Sequence, residues 1–399
     1  MAKIAILHEL LGRSKGGIEA WIFHCSEELV RQGHKVVLIH TMGDNIPDDA
    51  APRDVETVSL DTSKVRPSVF FLRSVFSYKK QLTGVLGLYD QVWSRSFGMA
   101  WAASRLVKEK SIYINAAPYS YYTYRSIWSL LRRARSVKDI RIAISSQFSY
   151  IVAWYFEKNA IQSSVNIFLS KKRKDHTLNF FKLNESRMKV GVVPAGVDYN
   201  RFHPRTSSTD ILANSVFNII SVCRIDKLKN IQCVIRAVKI LTDEGHSINY
   251  SIVGDGAYQV ELLKLVEDLT LKEFVSFEGK QKNVERWYQN SHLFVLPSLY
   301  EGFGSVYIEA MSCGLPCIAI SNSSGEFSVA SDEIISHGLN GYLMTKNSEH
   351  ELANYIRNLM VNRKLLAQFG VSARETVLRE FTWERTISQI LESIKVNEN

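Results

Sequence analysis

Several chemistries leave no signature in this chain. No Asp-x-Asp occurs in its 399 residues, and no His, Cys and carboxylate cluster has metal-ligand spacing. Cysteine is scarce and odd in number, at Cys25, Cys223, Cys233, Cys313 and Cys317. That set fits neither a disulfide framework nor a zinc pattern, and points to reduced, mostly buried thiols in the cytosol. No stretch approaches the roughly 20 continuous apolar residues that cross a bilayer. The N-terminal run Ile4-Ala5-Ile6-Leu7 is too short for a signal peptide and reads as a first strand. No Gly-x-Gly-x-x-Gly follows it, which argues against a dinucleotide-dependent dehydrogenase. Internal repeats and low-complexity tracts are absent.

What is present is an ordinary globular composition, 46% hydrophobic and 22% charged, long enough for two domains. The net charge of +9 is unevenly spread. Residues 1–205 hold 31 Lys and Arg against 17 Asp and Glu, or +14; residues 206–399 hold 18 against 23, or −5. The N-terminal half therefore faces an anionic partner. Tyr119, Tyr121, Tyr122, Tyr124 and Trp128 lead into Arg132, Arg133, Arg135 and Lys138, and a second basic block is Lys171-Lys172-Arg173-Lys174. Aromatic residues beside Arg and Lys suit an anionic membrane surface. A solvated basic face on a core helix, or a polyanion such as RNA, would leave a similar pattern. The membrane surface is the preferred reading, and no nucleic-acid partner is expected.

Strand-like and helix-like segments alternate. Strands are expected at 3–7, 35–41, 91–94, 111–115, 141–145, 165–170 and 190–194, with a helix over 18–32. The pattern restarts at 217–223, with a helix over 231–241 and further strands ending in Gly254-Asp255-Gly256 and before Gly279. Such alternation argues for parallel α/β sheets. The polar run 206–214 reads as a linker, so the boundary is expected near 205, and residues 382–394 have helical apolar spacing.

The most informative run is Pro297-Ser298-Leu299-Tyr300-Glu301-Gly302-Phe303-Gly304-Ser305, continuing through Glu309. An apolar strand over 292–296 is stopped by Pro297, which cannot donate to a ladder. Gly302 and Gly304 permit a sharp turn and close approach to a ligand. A helix is expected from Ser305, and its free amides would attract phosphate or sugar oxygens. Glu301 is placed at the strand end, with Glu309 two turns later. A second charged element is Cys223-Arg224-Ile225-Asp226-Lys227-Leu228-Lys229-Asn230, a strand-to-helix loop whose Arg224 and Lys229 can straddle a diphosphate.

These residues resemble the retaining GT-B glycosyltransferases of the family-4 type, with their Glu-x7-Glu signature. The resemblance covers most of the second half and scattered landmarks of the first. It implies an α/β fold of two Rossmann-like domains facing each other across a cleft. Residues 1–205 would bind the acceptor and 206–381 the nucleotide-sugar donor, with a C-terminal helix, about 382–399, packing back on the first domain. It implies that Glu309 takes the ribose hydroxyls and that Glu301 lies near the donor sugar. The amides around Phe303, Gly304 and Ser305 would contact sugar and phosphate, and Arg224 and Lys229 would neutralise the leaving diphosphate. Gly16-Gly17 resembles the Gly-Gly-x-Glu element that leaves room for donor phosphates. Gly279-Lys280-Gln281 falls where the family's loop meets the base. Departures exist. Cys223 replaces a usual Gly, Ala195 in Pro194-Ala195-Gly196-Val197-Asp198 replaces a usual Asn, and no His follows the fourth strand of the first domain. His8, at the end of the first strand, is a packed or solvated residue more readily than a substitute for it.

The expected activity is metal-independent, retaining hexosyl transfer from a UDP- or GDP-linked sugar, without a cofactor, to a lipid-linked or membrane-surface glycan. The expected setting is lipopolysaccharide, O-antigen or capsule assembly on the cytoplasmic face of a bacterial inner membrane. A sugar-nucleotide epimerase of the same architecture, or a catalytically silent binding subunit, are the alternatives.

Overall fold

The computed structural model describes residues 1–8, 17–41, 54–61, 71–115, 137–205, 216–322 and 327–396. They divide into two compact units, 1–194 with 386–399, and 195–385.

Unit 1 is built on a seven-stranded sheet in the order β3-β2-β1-β4-β5-β6-β7. Its strands are β1 (Lys3–His8), β2 (Lys35–His40), β3 (Glu56–Ser59), β4 (Gln91–Ser94), β5 (Ser111–Asn115), β6 (Val165–Phe168) and β7 (Val190–Val192). Every pairing is parallel, with Ile6 opposite both Leu38 and Trp93 in the register. The central strands β1 and β5 are apolar and fully buried over most of their length, as expected when helices cover both faces. The helices are α1 (Gly17–Arg31), α2 (Phe71–Leu82), α3 (Phe97–Leu106), α4 (Val137–Ser163) and α5 (Lys171–Phe181). Ser96 caps α3 by accepting from the Met99 amide, and Ser170 caps α5 by accepting from the Arg173 amide.

Residues 141–145, expected as a strand, lie within α4. Their short alternation of apolar and polar residues cannot by itself separate a strand from part of a buried helix. Further along, Ala153, Phe156, Ala160 and Ile161 fall on one helical face and join the core beside Trp101 of α3. That packing continues the helix. The aromatic-basic stretch of 119–135 lies outside the described residues.

Unit 2 carries a six-stranded parallel sheet in the order β10-β9-β8-β11-β12-β13. The strands are β8 (Phe217–Val222), β9 (Ile248–Val253), β10 (Val275–Gly279), β11 (Leu293–Val295), β12 (Cys317–Ile320) and β13 (Gly341–Met344). The helices are α6 (Ile231–Asp243), α7 (Gln259–Asp268), α8 (Val284–Gln289), α9 (Ser305–Ser312), α10 (Glu349–Val361), α11 (Arg363–Glu380) and α12 (Trp383–Val396), whose later turns belong to unit 1.

The division falls at Pro194, 11 residues ahead of the expected 205 (205 − 194 = 11). Residues 195–204 interlock with unit 2. The Val197 amide donates to the Phe381 carbonyl at 2.9 Å, Arg201 pairs with Glu285 at 2.9 Å, and Ser312 donates to the Phe202 carbonyl at 2.5 Å. A Cβ on Gly196 would meet the Trp383 backbone nitrogen at 2.6 Å. The return segment in unit 1 begins at Thr386, whose hydroxyl donates to the Pro194 carbonyl at 2.9 Å.

Candidate functional site

In unit 2, β8 lies between β9 and β11. The chain leaves β8 on one side towards β9 and reaches β11 on the other. This is a topological switch point, and loops leaving the carboxyl ends of such strands splay apart to form a crevice. The two loops that carry the expected site leave those strands. Their spacing is set by the parallel pairing of Leu293 with Ile219 and Phe294 with Ile220.

The first loop runs from Cys223 to a short 3-10 turn, Lys227–Lys229. Asp226 caps the turn by accepting from the Leu228 amide at 3.0 Å. Its other carboxylate oxygen accepts from Arg224 at 2.9 and 3.0 Å. Arg224 therefore stays folded beside its own loop with a side chain 78% exposed. Asn230 has φ +58° and donates its side-chain amide to the Pro297 carbonyl at 3.0 Å and to Asn347 at 2.7 Å. That ties the first loop to the second.

The expected Gly254 turn acts behind this loop. Gly254 has φ +134°, and a Cβ there would lie 1.9 Å from the Cys223 carbonyl oxygen. Its glycine is a packing requirement that seats Cys223 and hence the cations that follow. Cys223 itself is partly exposed, and burial pushes its thiol up to about 12 against the pull of Lys229.

The second loop differs from expectation. β11 ends at Val295, so Glu301 lies six residues beyond the strand (301 − 295 = 6), not at its end. Backbone bonds to Leu228 and to Ser328, the latter forming an isolated parallel bridge with Tyr300, hold this extension. The Leu299 amide donates to the Leu228 carbonyl at 2.8 Å, and the Glu301 amide to the Ser328 carbonyl at 3.0 Å.

The two loops meet at one ion pair. Lys229 Nζ lies 2.5 Å from Glu301 Oε2, with side chains only 17% and 16% exposed. Burial opposes the charge on Lys229, yet the Glu301 carboxylate outweighs it and the ammonium pKa is raised. The residues are 72 apart in sequence.

Gly304 follows, at φ +91°, immediately before α9. A Cβ there would meet the Tyr307 ring at 2.5 Å and Glu301 Cγ at 3.1 Å. Phe303 is buried with its ring 6.1 Å from that of Phe381, and Ser305 opens the helix. One turn on, Glu309 accepts a hydrogen bond from the Tyr288 hydroxyl at 3.1 Å. Burial pushes the Glu309 carboxyl up to about 7, against the pull of Tyr288 and of the Arg201 charge.

Unit 2 thus brings together Arg224, Lys229, Glu301, Phe303, Gly304, Ser305 and Glu309 on two adjacent loops and one helix. Gly17 opens α1 in unit 1, and Gly16 lies outside the described residues. His8 is buried at the end of β1, its basicity lowered to about 3 by burial and by the Arg95 charge. Among the described residues, no group of three or more His, Cys, Asp or Glu is placed to hold a metal ion. Sequence reasoning missed Asp226, Asn230 and Tyr288. Asp226 had a local signal, a helix-capping residue between the two cations. Tyr288 had none, since its link to Glu309 is tertiary.

Residues 212–376 match the family described as Glycosyl transferases group 1. N-acetyl-alpha-D-glucosaminyl L-malate synthase of Bacillus anthracis is 35% identical over 172 residues. That match spans 43% of this chain and 43% of the relative, less than half of either. The capsular polysaccharide biosynthesis glycosyltransferase CapM of Staphylococcus aureus is 26% identical over 282 residues, 67% of this chain and 72% of the relative. Among solved structures, Anabaena Alr3699/HepE in complex with UDP and glucose superposes with a TM-score of 0.70 at 19% identity, over 99% of this chain and 100% of that one. The fold is GT-B, with two Rossmann-like α/β domains, and the segment similar to Glycosyl transferases group 1, 212–376, is the part of the chain that holds the Lys229–Glu301 pair.

Proposed function

We propose that the chain is a retaining glycosyltransferase that takes a hexose from a nucleotide sugar, without a metal ion, and adds it to a surface-polysaccharide acceptor. The observation that carries this reading is the meeting of Lys229 and Glu301 at the switch point, in the same unit as the half-buried Glu309. A partly dehydrated ammonium beside the helix start at Ser305 is suited to the charge that develops on a leaving diphosphate. Arg224, 78% exposed and held by one carboxylate, has a fork free to turn onto the same phosphates. Glu309 supplies acceptor oxygens for two ribose hydroxyls, as the Glu-x7-Glu resemblance implies. Glu301 lies on the sugar side of Lys229. The acceptor sugar's hydroxyl then attacks the anomeric carbon from the face that the diphosphate leaves. The departing phosphate oxygen takes its proton, and the anomeric configuration is kept.

UDP is the preferred carrier, since the similar Anabaena structure holds UDP and glucose. The acceptor is proposed to be a lipid-linked or membrane-surface glycan, in line with the capsular role named for CapM. The acceptor belongs to unit 1 and the donor to unit 2. The site of action is proposed to be the cytoplasmic face of the membrane.

Calorimetry with UDP and GDP in the presence of EDTA tests the reading. Binding of one nucleotide, lost in Glu309→Ala, supports it. Transfer to a glycan acceptor, without conversion of the free sugar nucleotide, separates it from an epimerase. Absence of any nucleotide binding refutes it.

A further inference from the structure

In unit 1, α2, α3 and α4 pack against one another on one side of the sheet. Their inner faces are apolar. Val75, Tyr78 and Leu82 of α2, Trp101 and Ala103 of α3, and Phe156 and Ala160 of α4 are all buried. Their outer face is apolar too, where water would ordinarily select polar groups. Phe76 is 55% exposed, Ile151 57% and Tyr155 54%. Phe76 and Tyr155 both neighbour the Phe156 ring. The Phe76 ring lies 6.0 Å from the Phe156 ring, and the Tyr155 ring lies 5.6 Å from the same ring. Ile151 precedes Tyr155 by four residues and so shares its helix face.

On the described exposed faces of α2 and α3, and of residues 150–163 of α4, the charged side chains are cations. Lys79 and Arg105 sit over the Trp101 ring at 6.0 and 5.9 Å, and Lys158 sits over Trp154 at 4.7 Å. Lys80 is exposed beside Lys79. No Asp or Glu occurs in α2 or α3, and Glu157, the one carboxylate between 150 and 163, is fully buried. Lysine stems lying along aromatic rings carry their charged heads to the rim of an apolar surface.

We propose that this face, centred on Phe76, Ile151 and Tyr155 and rimmed by Lys79, Lys80, Arg105 and Lys158, docks unit 1 on an anionic lipid bilayer. The apolar side chains enter the headgroup boundary, and the cations meet lipid phosphates. Charge complementarity selects the occupant. An anionic leaflet attracts each nearby Lys or Arg and takes apolar side chains at its headgroup boundary, which fits cations set at the rim of an apolar face. Its residues are other than those of the aromatic-basic stretch of 119–138 that the sequence singled out. Its purpose rests on the proposed membrane-surface acceptor, although the binding itself does not.

The test is flotation of the full chain with vesicles of phosphatidylcholine alone and of phosphatidylcholine with phosphatidylglycerol. Two variants are compared with the wild type, the triple Phe76→Ser/Ile151→Ser/Tyr155→Ser and the triple Lys79→Gln/Lys80→Gln/Lys158→Gln. Thermal melting, gel filtration and UDP calorimetry are run on each. The wild type is expected on the anionic vesicles. The lysine variant should bind them about tenfold more weakly or worse, with its lipid-charge preference reduced. The serine variant should lose binding to both vesicle types. Wild-type failure to float, or unchanged flotation of both folded variants, overturns the proposal. So does a wild-type dimer that the serine variant dissociates without change in flotation. Loss of flotation in the variants of a chain that binds no UDP upholds this docking face while removing the transferase reading.

Discussion

The Tyr288 hydroxyl and the Glu309 carboxylate, on two different helices of unit 2, are joined by a hydrogen bond of 3.1 Å. Tyr288 is fully buried, with its ring against Phe294 and Phe202, so the donor is fixed in place. The bond favours the ionised carboxylate, while burial favours the neutral one and prevails. Arg201 favours ionisation as well, and Glu285 opposes it.

Nucleotide affinity should therefore depend on pH near neutrality. The carboxyl titrates at about 7 rather than 4.5. An ionised Glu309 accepts two ribose hydroxyls, and a protonated one accepts less well. UDP affinity is expected to rise as pH rises through about 7, and Glu309→Gln should flatten the profile. A wild-type profile flat between pH 5.5 and 8.5, measured by calorimetry at about half-unit intervals, would be evidence against this role.

Stability carries the opposite sign. A folded pKa above the unfolded value contributes stability that is fully present below about 4.5 and is lost as pH rises through about 7. Urea midpoints without nucleotide should fall over that window. In Glu309→Gln that component of the slope should vanish. An identical slope in the variant would place the titration elsewhere.

Tyr288→Phe removes the donor and keeps the ring. The carboxylate then loses a favourable partner, so the midpoint of the affinity profile should move to higher pH. Affinity above the new midpoint should recover towards wild type. A uniform loss at every pH would mean that Tyr288 acts only through packing.

Lys229→Ala should lower turnover by about a hundredfold or more, as for loss of a preorganised donor to a leaving group. It also strands the partly buried Glu301. Glu301→Gln tests the pair from the other side, leaving the ammonium without its carboxylate. Turnover within a few-fold of wild type in Lys229→Ala, by a steady-state transfer assay, would remove Lys229 from the mechanism.

Gly304→Ala should cost about 2 kcal/mol and disturb the site together. The backbone at φ +91° strains any other residue, and the new methyl strikes the Tyr307 ring. The Tyr307 hydroxyl is held by the Leu296 carbonyl at 2.6 Å, so the ring is pinned and α9 must shift instead. Chemical denaturation checks the stability, and donor affinity checks the site. Normal values for both would show that the ring yields.

Much of the architecture was legible in local pattern. Strands β4 and β5 fall where short apolar runs between turn residues put them, and α9 starts at Ser305 because Gly304 cannot easily continue a helix backwards. The alternation of periods also carried the parallel α/β class. The error at 141–145 came from a run too short to separate the two periods, and the core contacts of Phe156 and Ala160 decided it for helix. The boundary expected near 205 rested on polar composition alone, whereas the division falls at Pro194 and Val197, Arg201 and Phe202 already bond within unit 2.

By itself, the sequence determined which residue types were available and in what order: two cations on one strand-to-helix loop, and two carboxylates eight apart around a glycine turn. Tertiary structure alone decided which of them meet. Parallel pairing of β8 with β11 brings residues 72 apart into one ion pair, and helix packing sets Tyr288 against Glu309. The reason is physical. Propensity and turn chemistry act over a few residues, whereas the charge state of a carboxylate depends on every group that folding places around it.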